Sequence, residues 1–239
     1  MLPDAMQKPG STSNRILAGL SRKEYARIAL DLKLTTLKPG EVLYEPGGTM
    51  NWAYFLETAI VSILSEAEDG STIEVSLVGR EGIIGTPIFL RSHLLPYRIV
   101  VQRPGTAWKM KADALRKEFD LCGPLHKLLL YYLHTLNVQL SQSSACNRFH
   151  TTRQRLCRWL LTSQDLAGSN ELRSTQEFLS QMLGVNRGSA NQAASSLQRT
   201  GLIQYRRGRI SILNRSGLET AACECYRIIR SEFDRFFRR

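Results

Sequence analysis

The sequence lacks the features of membrane and exported proteins. No stretch of the 239 residues approaches the roughly 20 consecutive apolar residues of a membrane helix. The N-terminal segment 1–15, MLPDAMQKPGSTSNR, contains no apolar core of signal-peptide length. With 43% apolar and 22% charged residues, the composition is that of a globular protein with one large domain or two ordinary ones. We therefore expect a cytoplasmic protein with no membrane partner.

Cysteine is sparse, and its spacing fits neither a disulfide framework nor a common metal motif. There are five cysteines, none precedes Cys122, and no two are spaced as CxxC. Cys223 and Cys225 are too close in sequence for a usual zinc site, and no partner histidine or cysteine lies near them along the chain. We predict no metal site and identify no cofactor; the cysteines are interpreted as small buried residues. A redox switch at Cys146 is the alternative.

Lysine is absent from the second part of the chain, where positive charge is concentrated. The formal net charge is +11, and residues 147–239 contain 16 arginines against 7 acidic residues. The planar guanidinium group suits phosphate oxygens and the edge of guanine. This asymmetry predicts a polyanionic partner such as nucleic acid. The motifs described below identify the expected partner as double-stranded DNA. A basic face that is only solvated is the alternative.

The hydrophobic pattern changes twice along the chain. Residues 15–32 have helical spacing, whereas residues 34–110 form short β-rich runs separated by glycine, proline and aspartate turns, as in an antiparallel sandwich or barrel. From Ala112 the pattern is helical again. One apolar stripe follows alternating steps of four and three and predicts a helix that pairs with its twin in a homodimer, with an ordinary core helix as the alternative. This predicted interface consists of Leu125, Leu129, Tyr132 and Leu136.

Residues 174–214 carry the most specific signal. Ser174-Thr175 followed by Glu177 resembles a capping box that starts a short helix. Gly184-Val185 interrupts that helix, and a second one runs from Asn186 to about Thr200. Two short helices joined at a glycine turn predict a helix-turn-helix. Residues 202–213 then form two strand-like runs that turn at Gly208, which predicts a wing with arginines at its tip.

The whole chain resembles the Crp–Fnr family of bacterial transcription regulators. The likeness rests on ACNRFHTTRQRLCRWLL (145–161), on the helix-turn-helix and wing (175–219), on AACECYRIIR (221–230), and on LKPGEVLYEPG and DGSTIEVSLVGREGIIG in the β-rich part. It implies an α+β architecture: an antiparallel β-roll of the cyclic-nucleotide-binding type (15–118), a dimerisation helix (119–147) and a winged helix-turn-helix (148–239). It also implies a regulator of transcription that is not an enzyme and that engages RNA polymerase if it activates.

The resemblance carries the base-reading arginine of the recognition helix onto Arg187. An acidic residue of well-known members is replaced by Gly188, and a second base-facing arginine is replaced by Gln192. Since glutamine can bind adenine through two hydrogen bonds, the preferred site should differ from theirs. Ala190 is expected either to touch a thymine methyl or to pack. The predicted DNA contacts are Thr175, Gln176, Asn186, Arg187, Ser189, Asn191, Gln192, Arg206, Arg207 and Arg209.

The resemblance fails in the effector pocket of the β-roll. The glutamate that would hold a ribose is Thr86 here, and the arginine for a cyclic phosphate falls near Pro96-Tyr97. We therefore predict a degenerate pocket that does not bind cyclic AMP, with some other small-molecule effector left open. The expected lining residues are Gly82, Ile84, Gly85, Thr86 and Arg98.

The family's N-terminal iron–sulfur cysteines are also absent. Haem binding by a histidine is a minor alternative, with His93, His126, His134 and His150 as candidates.

Two rival functions remain open from sequence. An enzyme regulated through the β-roll is disfavoured because residues 147–239 contain one histidine, no glycine-rich phosphate loop and no catalytic triad pattern. A non-specific protein that compacts nucleic acid would account for the charge, but not for the glycine turn, the wing or the β-roll.

Overall fold

The structure is a computed structural model that describes residues 12–92 and 95–237, except for the side chain of Phe237. His93, one of the histidines considered for haem, lies outside the described residues. Two compact units are present. The first comprises residues 12–63, 77–137 and 233–237, and the second comprises residues 64–76 and 138–232.

The first unit is built around a β-roll. Two short helices, α1 (Arg15–Ala18) and α2 (Arg22–Ala29), precede the strands. The strands are β1 (Lys33–Leu37), β2 (Val42–Tyr44), β3 (Trp52–Leu56), β4 (Ile60–Glu66), β5 (Thr72–Val78), β6 (Ile83–Ile84), β7 (Arg98–Arg103) and β8 (Gly105–Lys111). The end of β4 and most of β5 lie within residues 64–76, which belong to the second unit. A short helix, α3 (Thr86–Phe89), separates β6 from β7.

Over the described residues, these strands form two four-stranded sheets, in the orders β1-β8-β3-β6 and β2-β7-β4-β5. The pairs β1–β8, β3–β8 and β2–β7 are antiparallel, as the turn-rich sequence predicted. Strand β3 shows why the fold forms here: Ala53 and Phe55 are fully buried and alternate with the half-buried Trp52 and Tyr54. Apolar residues on one face of each sheet thus supply the core.

The long helix begins later than the predicted residue 119. Helix α4 (Ala112–Asp120) ends first, and α5 runs over Pro124–Phe149. Between them Cys122 adopts a positive φ of 52°, which interrupts helical geometry. Pro124 then occupies the first position of α5, where its missing N–H removes no helical hydrogen bond.

The predicted dimer stripe of α5 requires a correction. Leu125, Leu129, Tyr132 and Leu136 are at most 7% exposed and belong to the core cluster that contains the β-roll side chains. They therefore pack inside their own chain and are not available to a second copy. The apolar side chains of α5 that remain exposed include Leu130, Tyr131 and Leu140.

The second unit contains the C-terminal elements. These are α6 (Thr152–Ala167), β9 (Glu171–Arg173), α7 (Gln176–Leu183), α8 (Arg187–Arg199), β10 (Ile203–Arg206), β11 (Arg209–Ile212), α9 (Arg215–Ala221) and α10 (Glu224–Phe237). The strands form one sheet in the order β10-β11-β9. A core of its own holds this unit together, with Leu156, Leu160, Leu179, Leu197 and Ile210 almost completely buried. In the described part of the chain, no helix is both long and apolar enough to cross a membrane.

Candidate nucleic-acid interface

Helices α7 and α8 form the predicted helix-turn-helix, and each begins at a side-chain cap. The Thr175 hydroxyl accepts a hydrogen bond from the Phe178 N–H at 3.1 Å, and Asn186 Oδ1 accepts one from the Ser189 N–H at 2.8 Å. The third helical residue after Thr175 is Phe178, so Glu177 does not complete the predicted capping box. The carboxylate of Glu177 instead forms an ion pair with Arg187.

Gly184 makes the turn between the two helices possible. Its φ of 56° lies in the left-handed region, where a residue without Cβ is favoured. A Cβ at this position would also lie 2.7 Å from Cδ1 of Ile73. Ile73 is a β5 residue that belongs to the same unit as Gly184. Both the conformation and the close approach therefore require glycine.

Helix α8 has one buried face and one exposed face. Ala190, Ala193, Ala194 and Leu197 pack into the core of the second unit. Ala190 is only 1% exposed, which decides between its two expected roles in favour of packing. The small side chains allow α7 and α8 to approach closely, and this leaves the polar side chains of α8 on the outside.

The predicted base-reading residues lie on the exposed side of α8. Arg187 and Gln192 are exposed, whereas Ser189 and Asn191 are half-buried. Ser195 and Arg199 continue the same face towards the C-terminus and are also exposed, although the sequence reasoning did not select them. Helical periodicity could have found them, since they follow Gln192 by three and seven residues.

Two side-chain contacts join the exposed edges of α7 and α8. Arg187 forms an ion pair with Glu177, through guanidinium Nη2 and carboxylate Oε2. The Asn191 amide donates a hydrogen bond to Oε1 of Gln176 at 3.2 Å. Four residues that face solvent are thus pre-arranged as two pairs.

The wing is a tight hairpin with three exposed arginines. Arg206 pairs with Arg209 across the strands, which leaves Arg207 and Gly208 as a two-residue loop. Both loop residues have positive φ, 50° and 74°, as in the hairpin turns that match strand twist. Arg206, Arg207 and Arg209 are all exposed, so the predicted cluster of positive charge is present at the tip.

The wing is fixed to the helices by Tyr205 on β10. Its backbone N–H donates to Oε1 of Gln198 on α8 at 2.7 Å, and its hydroxyl donates to the carbonyl of Ser174 at 3.1 Å. These bonds hold the hairpin beside α8 and beside the start of α7. The arginine tip and the exposed face of α8 are therefore parts of one rigid surface.

A buried arginine of α6 stabilises the C-terminal end of α7. Arg155 of α6 is 7% exposed and donates to the backbone carbonyl of Leu183, the last residue of α7. Burial lowers the pKa of this guanidinium below its usual range. The bond satisfies a carbonyl that a helix C-terminus leaves unpaired, immediately before Gly184.

Comparison with protein families agrees with this architecture. The description "Cyclic nucleotide-binding domain" matches residues 34–121, and "Crp-like helix-turn-helix domain" matches residues 154–221. The two domains occur in the order that the sequence predicted. The chain belongs to the Crp–Fnr family of transcriptional regulators. No curated protein sequence is similar enough to give a match.

Solved structures show the same Crp–Fnr fold at low identity. A protein assigned to the crp/fnr regulators from Eubacterium rectale is 18% identical with a TM-score of 0.69, covering 86% of this chain and 96% of its own. The c-di-GMP responsive global regulator CLP from Xanthomonas campestris is 17% identical with a TM-score of 0.66, covering 80% and 99%. FixK2 from Bradyrhizobium japonicum is 14% identical with a TM-score of 0.69, covering 80% and 98%. The family consists of transcriptional regulators, which agrees with the prediction that the chain is not an enzyme.

The predicted effector residues of this Crp–Fnr regulator have mixed surroundings. A Cβ on Gly82 would lie 2.6 Å from the hydroxyl of Tyr132, and Ile84 is 1% exposed. Gly85 is also buried, and a Cβ there would lie 3.0 Å from Cβ of Ala53. These three positions therefore belong to the packed core and are not open pocket wall, which corrects the prediction for them. Gly85 caps α3 with a φ of 138°, and Thr86 is the first residue of that helix. Arg98 forms an ion pair with Glu45, with Nε 3.1 Å from Oε2.

The four cysteines of the second unit are buried, as the sequence interpretation expected, whereas Cys122 in the first unit is exposed. Cys146 and Cys223 place their sulfur atoms 3.5 Å apart, and Cys225 Sγ lies 3.6 Å from Nδ1 of His150. Cys223 and Cys225 have no partner histidine or cysteine near them along the chain, but the fold brings Cys146 and His150 to them. The contacts were hidden because more than 70 residues separate the two pairs. Cys157 is buried in the helical core, apart from this cluster.

Proposed function

We propose that this Crp–Fnr regulator acts as a homodimer that binds inverted-repeat promoter sites, with one α8 in each of two successive major grooves. The observation that carries the proposal is the continuous surface formed by the exposed face of α8 and the wing tip. A helix of this size fits the major groove, and the wing arginines suit the adjacent phosphates. Affinity would come from the phosphates and specificity from α8.

Individual roles follow from exposure and chemistry. Arg187, at the N-terminal end of α8, is suited to a two-hydrogen-bond contact with O6 and N7 of guanine. Gln192, one turn further, is suited to adenine. Thr175 and Gln176 at the start of α7 suit phosphate oxygens, and Ser195 and Arg199 extend the contact surface along the groove. Asn186 serves chiefly as the cap of α8.

The dimer would form through the more exposed side of α5. Leu130, Leu133, Asn137 and Leu140 follow steps of three, four and three, which is the spacing of a coiled-coil seam. Leu133 is half-buried and also packs against the core of its own chain. Leu130 and Leu140 are 44% and 36% exposed in the single chain. An asparagine inside such a seam selects register and pairing at some cost in stability. This stripe replaces the buried one that the sequence favoured.

The effector of the β-roll is proposed to be a ligand other than cyclic AMP. The positions that hold ribose and phosphate in nucleotide-binding members are Thr86 and Pro96-Tyr97, and the nearby Arg98 is engaged by Glu45. An effector can act only by binding one arrangement of the dimer more tightly than the other. Because CLP shares this fold and is described as c-di-GMP responsive, cyclic dinucleotides deserve parallel titration. Calorimetry should detect no cyclic AMP binding; saturable micromolar binding would contradict this part of the proposal.

The cellular setting follows from the function. A regulator that binds promoter DNA works in the bacterial cytoplasm, and RNA polymerase is its further partner if it activates transcription. The remaining alternative is a protein that coats DNA without sequence preference. The two differ in salt dependence, because specific binding keeps its preference as ionic strength rises.

Selection of fragmented host genomic DNA by the purified full-length protein, followed by sequencing, tests the proposal. Half-sites about one helical turn apart should be enriched at moderate salt. The matched control is Arg187→Ala, which should enrich the same motif less strongly and lose the preference at one base pair of each half-site. If no motif is enriched with or without cell extract as a source of effector, the protein is a non-specific binder.

A further inference from the structure

We propose that Cys146, His150, Cys223 and Cys225 form a tetrahedral zinc(II) site within the second unit. Their four candidate ligand atoms all lie within 4.8 Å of one another. Three thiolates and one imidazole are a ligand set that zinc uses in closed, structural sites. This inference does not depend on the proposed DNA function.

The spacing of the ligand atoms fits a single ion. With Zn–S of about 2.3 Å and Zn–N of about 2.0–2.1 Å, a tetrahedron has S···S edges of about 3.8 Å and S···N edges of about 3.6 Å. The sulfurs of Cys146 and Cys223 are 3.5 Å apart, and Cys225 Sγ is 3.6 Å from His150 Nδ1. A sulfur pair at this distance is also far longer than a disulfide bond. The four atoms therefore surround a volume suited to one metal ion.

Local secondary structure brings the ligands together in two pairs. Cys146 and His150 are four residues apart at the end of α5, so both lie on one side of the helix. The helical bond from the His150 N–H to the Cys146 carbonyl, at 3.1 Å, keeps this geometry. Cys223 and Cys225 stand immediately before and within the first turn of α10, where the positive end of the helix favours thiolates.

The surroundings of His150 supply a second, independent observation. Its Nδ1 faces Cys225, while its Nε2 lies 3.2 Å from Oε1 of Glu224. A metal-bound histidine characteristically donates its other ring N–H to a carboxylate, which fixes the ring and strengthens the ligand. Glu224 is placed to provide this support.

The charge of the cluster is also balanced. Zinc(II) with three thiolates and a neutral imidazole carries a single negative charge. Arg158 of α6 interacts with Cys146, and Arg155 lies close enough to both Cys146 and Cys223 to feel their charge. Cys146, Cys223 and Cys225 are at most 4% exposed. Positive side chains around a buried anionic metal site reduce the cost of burying it.

The zinc would act as a structural link between the end of α5 and the start of α10. Arg155, beside the cluster, also holds the end of α7 through the Leu183 carbonyl. The ion would therefore stabilise the fold of the second unit. Since the ligands must be deprotonated to bind, metal binding and folding are coupled.

The first experiment measures metals in the full-length protein, purified without chelators and under reducing conditions, by plasma mass spectrometry. We expect about one zinc per chain. X-ray absorption at the zinc edge should show three sulfurs at about 2.3 Å and one nitrogen at about 2.0–2.1 Å. Replacement by cobalt(II) should give the visible spectrum of a tetrahedral thiolate complex.

Matched variants assign the site. Cys223→Ser and Cys146→Ser should reduce zinc content at least tenfold, whereas Cys157→Ser and Cys122→Ser should retain it. Because the loss of a ligand could unfold the domain, Glu224→Gln provides a second test that leaves all four ligands in place. That variant should keep the zinc stoichiometry and weaken affinity about 10- to 100-fold in competition with a chelator.

Three results would overturn the proposal. The reduced protein could fail to take up stoichiometric zinc during titration. Cys157→Ser could lose as much zinc as Cys223→Ser. Finally, alkylation of the protein directly from cells, followed by mass spectrometry, could show a disulfide between Cys146 and Cys223 in place of free or metal-protected thiols.

Discussion

Arg187, at the start of the recognition helix, forms an ion pair with Glu177 in the preceding helix. Both side chains are largely exposed, at 70% and 48% respectively, so the pair itself contributes little to stability. Its importance lies in position: the carboxylate holds the guanidinium at the edge of the surface that we assign to DNA. Binding guanine would require Arg187 to exchange this partner for the base.

Arg187→Ala should weaken binding to the selected site by about 1–3 kcal/mol and remove the preference at one base pair. Glu177→Gln is the matched variant, because it removes the ion-pair partner of Arg187 and a negative charge beside the surface that we assign to DNA. It should bind DNA of any sequence more tightly. Competition binding against a panel of single-base variants measures both effects. If Arg187→Ala keeps its base preference, the recognition helix is wrongly assigned.

Arg207 should contribute affinity without specificity. The suitable replacement is Arg207→Asn, because position 207 has a positive φ that asparagine tolerates better than alanine. Binding should weaken equally for all sequences, and the slope of log K against log salt should fall by roughly one. Fluorescence anisotropy over a range of salt concentrations gives the slope. A change confined to one DNA sequence would argue against a phosphate contact.

Gly184→Ala should destabilise the second unit more than Gly201→Ala. Both glycines have a left-handed φ, but a Cβ at position 201 meets no atom within 4 Å of the described chain, whereas one at 184 meets Ile73 at 2.7 Å. The control variant should lose about 1 kcal/mol of unfolding free energy for the backbone alone. The additional loss of unfolding free energy in Gly184→Ala measures the cost of the close contact with Ile73. Denaturant unfolding of both variants measures the difference; equal losses would contradict the close approach.

Leu140→Glu should convert a dimer into a monomer, because it introduces repelling charges into the exposed seam of α5. Leu129→Ala should leave the oligomeric state unchanged and reduce stability by about 2–5 kcal/mol, since Leu129 is completely buried in its own chain. Sedimentation and thermal unfolding separate the two effects. If Leu140→Glu stays dimeric and Leu129→Ala becomes monomeric, the interface that the sequence predicted around Leu129 is correct.

Glu81 should make stability depend on pH. Burial raises its pKa to about 7, while the Gly79 N–H donates to Oε1 at 2.8 Å and Oε2 has no partner among the residues described. The folded state binds the proton of Glu81 more tightly than the unfolded state does. The contribution of protonated Glu81 to stability is therefore complete below its pKa of 4.5 in the unfolded chain, and it is lost as the pH rises through the folded pKa of about 7. The loss is about 3 kcal/mol at most.

Glu81→Gln keeps the acceptor and removes the titration. Its stability relative to wild type should rise between about pH 4.5 and pH 7 and then remain constant. Urea unfolding of wild type and Glu81→Gln across this range measures the difference. A pH-independent difference for Glu81→Gln would contradict the raised pKa.

The sequence determined the order of the elements and the type of the C-terminal domain. Glycine at positions 184 and 208, the caps at Thr175 and Asn186, and the arginines of the wing act through local backbone geometry and charge. Such local features are readable without tertiary contacts. The β-roll was likewise predictable from its turns, and the exposed face of α8 from helical periodicity.

Only the tertiary structure decided which faces meet. Helix α5 is apolar on more than one side, and periodicity does not show that Leu129 packs inside the chain while Leu130 faces outward. The sequence pattern placed Gly82 in the effector pocket, whereas the fold packs Tyr132 directly against it. Cys146 and Cys223 are 77 positions apart, and their 3.5 Å contact arises because the end of α5 meets the start of α10. Spacing along a chain reports local geometry, whereas these contacts depend on how distant helices pack.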